Sequence, residues 1–291
     1  MLRPSRTLPA DGPVLDLLAP RVADVGMAVA RLLPSARRRA IGPWVFVDHF
    51  GPVSTEAPIE VPPHPHTGLS TVTWLFEGSG FHRDSLGSAQ ALRVGEVAWM
   101  TAGHGIAHSE VMPAGRLHGV QLWVALPPDQ RDRPPSFEHH ADLPAFAVPG
   151  AEGTVFAGSL GGVTAPVTTH TPLVGADLRI EGEAVFPTDP TWEHGLLGVE
   201  GQVTVDGPVP SGHLAYLGVG RPWVRIRGSG RVILLGGPPY PEPLLLWWNF
   251  VVGDASALER ARSDWDAHSP RFGPVAHPGP ASRLEAPPLP R

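Results

Sequence analysis

Residues 70–103 read STVTWLFEGSGFHRDSLGSAQALRVGEVAWMTAG, and their punctuation decides the fold. Ser70 to Phe76 is β-branched and aromatic, as a strand should be. Glu77 to Gly80 is a turn, and Gly87 to Ala89 is a second. Ala91 to Val94 is a short strand, Gly95-Glu96 a third turn, and Val97 to Thr101 a further strand closed by Gly103. Upstream, Trp44 to Phe50 (WVFVDHF) reads as a buried strand, and Val22 to Val47 is strand-like with breaks at Pro34 and Gly42-Pro43. Downstream, Val120 to Leu126 (VQLWVAL) is a strand stopped by Pro127-Pro128. Short strands at this spacing predict an antiparallel sandwich or barrel.

A second series of the same kind runs from Thr154 to Leu235. Its turns fall at Gly161-Gly162, Gly182, Gly201, Gly212, Gly218 to Gly220 and Gly228 to Gly230. The two halves are alike in architecture but not closely in sequence. The expected organisation is a first domain over 21–135 and a second over 150–272. A linker over 127–152 carries a short edge segment inside it, and residues 1–20 and 274–291 are loose tails. Near the C-terminus Ser256 to Glu259 has the pattern of a capping box. Leu258, Ala261 and Trp265 then repeat as one face of a helix, which Pro270 ends and which packs on a barrel.

Composition bounds the function. A hydrophobic fraction of 42% over 291 residues supports real cores, and 34 Gly with 36 Pro suits strands joined by tight turns. The net charge of -6 argues against direct nucleic-acid binding, and Arg37, Arg38 and Arg39 read as a solvated turn. With no cysteine, disulfides, thiolate metal sites and thiol nucleophiles are excluded together. The N-terminal segment has no continuous apolar core of a signal peptide, and Leu244 to Val252 is far too short to span a bilayer. A soluble, cytoplasmic protein is expected, with a monomer as the default.

Two histidine-containing pairs carry the chemistry. His64-Pro65-His66 and His108-Ser109-Glu110 each place two ligand-type side chains at i and i+2, on one face of a strand. Two such strands facing each other would supply three imidazoles and a carboxylate to one barrel interior. Imidazole suits Fe, Ni, Cu and Zn, and a carboxylate oxygen adds affinity for harder ions such as Mn. Four ligands on one side of an octahedral ion leave about two positions for water, substrate or oxygen. On spacing alone, polar residues satisfied at a barrel mouth remain the competing reading. His82, His104 and His118 lie close in sequence and are candidates to orient a ligand or substrate, or are pocket-wall histidines. His49 is ambiguous in the same way, and Asp48 and Asp84 either pair with histidines or cap turns. Trp74, Trp99 and Trp123 read as core or pocket wall. In the second half His194, Glu200 and His213 are scattered without such pairing, and that half reads as metal-free.

These residues resemble the pirin family. The similarity runs through VPPHPHTG (61–68), TVTWLFEG (71–78), HRDS (82–85), GEVAWMTAG (95–103), GIAHSE (105–110) and HGVQLWV (118–124). It weakens in the second half, where WWNF (247–250) and the closing helix also look pirin-like. The resemblance implies an all-β bicupin, two antiparallel β-sandwich or barrel domains with a short C-terminal helix. It implies a mononuclear metal in the first barrel only, held by His64, His66, His108 and Glu110. Fe(II) is the metal implied first, with Mn, Ni, Cu or Zn as alternatives. Two positions depart from the pattern: Thr67 and His104 stand where the family more usually has Arg, which reduces a positive rim near the site.

The resemblance further implies a quercetin 2,3-dioxygenase-like oxidoreductase. A small aromatic substrate such as a flavonol would react with O2, and Glu110 would accept its hydroxyl proton as general base. The alternative from another class is an iron-dependent redox-sensing regulatory protein, binding a transcription factor or a metabolic enzyme. A third is a metal-stabilised barrel without turnover.

Overall fold

The aromatic and β-branched runs become strands because each has a face to bury. The computed structural model describes residues 14–279 and 283–289. The expected tail over 1–20 falls largely on residues outside that range.

The first barrel is built from two sheets. A seven-stranded sheet has the order Ser136–His140, Val97–Thr101, Leu69–Glu77, Gly115–Ala125, Trp44–Thr55, Ala28–Leu33, Arg21–Asp24. A four-stranded sheet has the order Ile59–His66, Ile106–Met112, Ser79–Asp84, Ala89–Arg93. Every pairing in the two is antiparallel. The period of two then sorts the seven-stranded sheet by face. Phe46, Asp48, Phe50, Gln121 and Trp123 line the barrel interior. Val47, Val72, Trp74, Phe76, Val120, Leu122 and Val124 face the other way, into a core shared with the second barrel.

That shared core is where the two barrels join. From the second barrel come Phe156, Leu197, Val199, Leu214, Tyr216, Ile233 and Leu235. Trp74 and Phe156 stack at 5.1 Å, and Trp74 Nε1 donates to Asp177 of the second barrel at 2.9 Å. The buried indole N–H is thus satisfied across the interface, which burial requires. The second barrel centres on a nine-stranded sheet containing Glu193–Thr204, Trp223–Gly237, Val174–Pro187 and Ala151–Leu160. Its interior is filled by Leu178, Ile180, Phe186, Leu196, Val203, Ile226 and Leu234.

Several boundaries differ from the sequence reading. Ser136–His140, within the expected linker, is the edge strand of the first barrel's seven-stranded sheet, and Ala145–Val148 pairs with Ala151–Leu160 of the second. Asp16–Leu18, within the expected N-terminal tail, pairs with Leu214–Gly218 of the second barrel. The C-terminal elements go the opposite way. A hairpin of Leu245–Trp247 and Phe250–Val252 docks on the first barrel through a bridge between Thr67 and Phe250. Helix Ala255–Asp266 buries Leu258, Ala261 and Trp265 with Phe250, Phe272 and Ala107, the last being next to a candidate ligand. The chain ends are therefore exchanged between barrels. The helix cap is Asp254, whose carboxylate accepts from Ala257 N at 2.7 Å, and Ser256 donates to that carboxylate instead of capping the helix itself. The helix stops before Pro270, at Ala267 and the left-handed His268. Beyond it, Leu284 N donates to Pro63 O and Trp265 Nε1 donates to Leu284 O, so Leu284 is tied down. No described helix is long and apolar enough to cross a membrane.

Candidate metal centre

Ile59–His66 and Ile106–Met112 are hydrogen-bonded neighbours in one sheet, not strands facing each other across the barrel. His64 sits opposite His108, and His66 opposite Ile106. The register slips between His108 and Glu110, where Pro62 and Pro63 occupy the partner strand. Prolines donate no ladder bond, so they belong at such a bulge and on an edge strand, which this one is. The regular pairing ahead of the slip brings three imidazoles together. Ring nitrogens of His64, His66 and His108 all lie within 4.8 Å of one another. On the other flank Ser79–Asp84 places His82 opposite Glu110 and Asp84 opposite His108. Donor atoms of His82, His108 and Glu110 form a second such group. The four expected ligands do not close into a single group at that distance.

The surroundings orient each donor. His64 Nδ1 donates to Pro62 O at 2.8 Å, which directs the Nε2 lone pair inward. His66 Nε2 and His108 Nε2 are 3.1 Å apart and can share only one proton. Glu110 reaches across the barrel to Thr73, whose hydroxyl donates to Oε1 at 3.0 Å. The same hydroxyl lies 3.0 Å from Gln121 Oε1, so the carboxyl and the amide oxygen compete for its one proton.

Burial sets the charge state. It pushes His64 down to about 4, against an opposing hydrogen bond to Pro62. Burial and the neighbouring imidazoles hold His66 and His108 well below the ordinary histidine range. Burial raises Glu110, with His82 and the Thr73 hydroxyl opposing. The result is three neutral imidazoles with converging lone pairs beside a carboxyl. That donor set fits a divalent transition metal, which supplies the positive charge the cluster lacks.

These residues lie in a cavity of about 630 Å³. Its walls are mostly apolar: Met27, Val29, Phe50, Ile59, Met112, Leu246, Trp248 and Leu284. Phe46 and Trp123 stack at 3.8 Å, and the Arg31 guanidinium lies 4.5 Å over Phe46. Arg31 also forms two hydrogen bonds to Asp48, at 2.8 and 2.7 Å. Asp48 thus pairs with arginine rather than histidine. Arg31, Thr73 and Leu284 were not legible as site residues. Asp48 carried a signal, being at i+2 from Phe46 on a strand of aromatics.

The three nearby histidines divide. His82 touches the cluster, with Nδ1 at 3.3 Å from His108 Nδ1 and Nε2 at 3.0 Å from Asp84. His118 does not: its strand position points to the inter-barrel face, where Nε2 meets His49 Nε2 at 2.8 Å beside Phe76. His104 is exposed on a turn, with its backbone bonded to Arg133 and Arg271. Thr67 is buried and bonded through its backbone to the Asn249–Val251 segment, so neither departure from the family pattern lies in the cavity wall. In the second barrel His194 is buried, but Glu200 is exposed and His213 half-exposed, and they do not converge.

Comparison with known proteins agrees with this architecture. The family model described as Pirin matches residues 26–124, and that of the Pirin C-terminal cupin domain matches residues 173–273. A Pseudomonas aeruginosa protein named "Putative quercetin 2,3-dioxygenase" is 44% identical, over 95% of this chain and 91% of its own. A "Pirin-like protein" of Caulobacter vibrioides is 36% identical, over 88% of this chain and 94% of its own. A crystal structure of quercetin 2,3-dioxygenase from Acinetobacter baumannii superposes with a TM-score of 0.89 at 42% identity, covering 94% of this chain and 95% of that one.

Proposed function

This chain belongs to the pirin family, and on that premise we propose that it is a metal-dependent dioxygenase acting on a small aromatic substrate such as a flavonol. The observation that carries the reading is the convergence of His64, His66, His108 and Glu110 on one cavity of about 630 Å³. The volume lies within the usual range for small-molecule sites. The names borne by the Pseudomonas and Acinetobacter relatives point to the same chemistry.

His64, His66, His108 and Glu110 are the proposed ligands, and Fe(II) is the proposed metal. When bound, the metal would orient the substrate and bring O2 beside it. The protein's own part follows from the walls. Phe46, Phe50, Trp123 and Trp248 offer aromatic surfaces against which a flat ring system packs. The apolar lining excludes water and strengthens the polar interactions inside. Glu110 accepts the substrate hydroxyl proton; its burial raises its basicity, and Thr73 holds one oxygen so that the other is aimed.

An exposed C-terminal helix would be compatible with the regulatory alternative, as is the net charge of -6. That helix has its apolar positions buried on the first barrel, so it offers no free apolar face. The test is oxygen uptake with quercetin after anaerobic loading with Fe(II), with His66→Ala as control. Uptake by the parent and not by the variant is expected. A fully loaded parent that consumes no oxygen with flavonols would remove that substrate class.

A further inference from the structure

The proposed ligand His108 is the inner member of a polar chain that runs outward through His82 to Asp84. His108 Nδ1 lies 3.3 Å from His82 Nδ1, and His82 Nε2 lies 3.0 Å from Asp84 Oδ2. All three side chains are buried, so no water is at hand to repair a mismatch. The outer end is anchored: Asp84 Oδ1 accepts from Leu86 N at 2.9 Å and from Ser88 N at 3.0 Å, inside a tight turn. Burial alone would raise the Asp84 carboxyl, but the hydrogen bonds from His82 and Ser88 outweigh it and leave it lowered.

The donor directions in this chain are not free. A carboxylate only accepts, so His82 must carry its proton on Nε2. In the neutral form of His82 its Nδ1 is then a lone pair facing His108, and the proton between the two rings is the one on His108 Nδ1. A neutral imidazole has one N–H, so His108 Nε2 is left as a lone pair. That nitrogen points at His66 Nε2, 3.1 Å away, among the clustered imidazoles.

We propose that Asp84 and His82 are positioning residues that fix the proton of His108 on Nδ1, and so hold its Nε2 lone pair ready for the metal. The inference rests on the metal site proposed above. It concerns two residues outside the four-ligand set and predicts a direction, not only a contact. Partners that fix the tautomer of a metal-binding histidine commonly change metal affinity by about 10- to 100-fold.

The isosteric variant Asp84→Asn makes the direction testable. Its carbonyl oxygen stays with Leu86 N and Ser88 N, which preserves the turn. Its NH2 then faces His82 Nε2, which must accept. His82 is forced to carry its proton on Nδ1, aimed at His108 Nδ1. His108 must shift its own proton to Nε2, where the metal should be. A purely structural role for Asp84 would survive this substitution.

The first measurement is the 15N shifts of the His82 and His108 ring nitrogens in the metal-free protein. The parent should show His108 protonated at Nδ1 and His82 at Nε2. Asp84→Asn should reverse both. The second is metal affinity by chelator competition with Ni(II). The variant should bind one ion with affinity lower by about 10- to 100-fold, and His82→Ala should fall by a similar factor. Unchanged protonation sites and unchanged affinity in Asp84→Asn would overturn the inference while leaving the four-ligand site standing. A metal-coordinated shift at His82 in the Zn(II)-loaded protein would also overturn it, because His82 would then be a ligand itself. A parent that binds no metal would remove the site and the inference together.

Discussion

Replacing Arg31 by Met should destabilise the protein by about 3–5 kcal/mol at neutral pH. The Asp48 side chain is 3% exposed, and its two oxygens are held by Arg31 at 2.8 and 2.7 Å. Burial already raises Asp48, and the Arg31 hydrogen bonds and charge are the chief opposing influences. Methionine keeps much of the packing over Phe46 but removes both donors and the charge. An uncompensated buried carboxylate remains, which is the costly half of breaking such a pair. The sign with pH follows. Without Arg31 the folded-state pKa of Asp48 rises further above its unfolded value. The penalty is then full at neutral pH and shrinks as pH falls and the carboxyl protonates. Urea unfolding of the metal-free parent and variant at pH 7 and pH 5 measures this. The double variant Arg31→Met/Asp48→Leu should regain most of the loss, because replacing both partners leaves nothing unpaired. A loss below about 1 kcal/mol, the level of an exposed pair, would refute the reasoning. So would an equal loss at both pH values, since the penalty would then not come from an ionised carboxylate.

Two further outcomes are expected. Trp265→Ala should cost about 3–5 kcal/mol as a buried aromatic truncation. By removing the indole donor to Leu284 O it should also loosen a wall of the cavity, read as faster hydrogen exchange at Leu284, whose amide is bonded to Pro63 O. In the metal-free protein, stability should fall as pH drops from 6.5 toward 4. His49, His64 and His194 are each pushed by burial from 6.5 to about 4. The unfolded chain therefore takes up protons in that window before the folded one does, at a cost on the order of 3 kcal/mol per group at the acid end. Glu110 acts in the opposite sense, since its raised folded value favours the acid form. Unfolding midpoints that stay flat from pH 7 to pH 4 would contradict the burial of these imidazoles.

The all-β class, the two barrels and the pairing of His64 with His66 and of His108 with Glu110 follow from what a strand does locally. Side chains at i and i+2 share a face whatever the rest of the chain does, so HPH and HSE declared themselves as inward pairs. Turn glycines marked the strand ends for a similar reason, such as Gly78 at a φ of +88° directly after Leu69–Glu77. Face parity also had the information to separate Gln121 and Trp123 from His118. Using it required knowing which face of that strand looks into the barrel, and both faces are buried. The register between strands was not legible. Whether His82 lands opposite Glu110, or Arg31 beside Asp48, depends on pairings between segments far apart in sequence and on bulges such as the slip at Pro62-Pro63. The exchange of chain ends between barrels, and the delivery of Leu284 to the cavity wall, depend on which apolar faces remain uncovered after both barrels have closed. Local periodicity thus determined which side chains would travel together. Only the tertiary structure decided what they would meet, because those meetings are set by long-range pairing and packing that no short stretch of chain encodes.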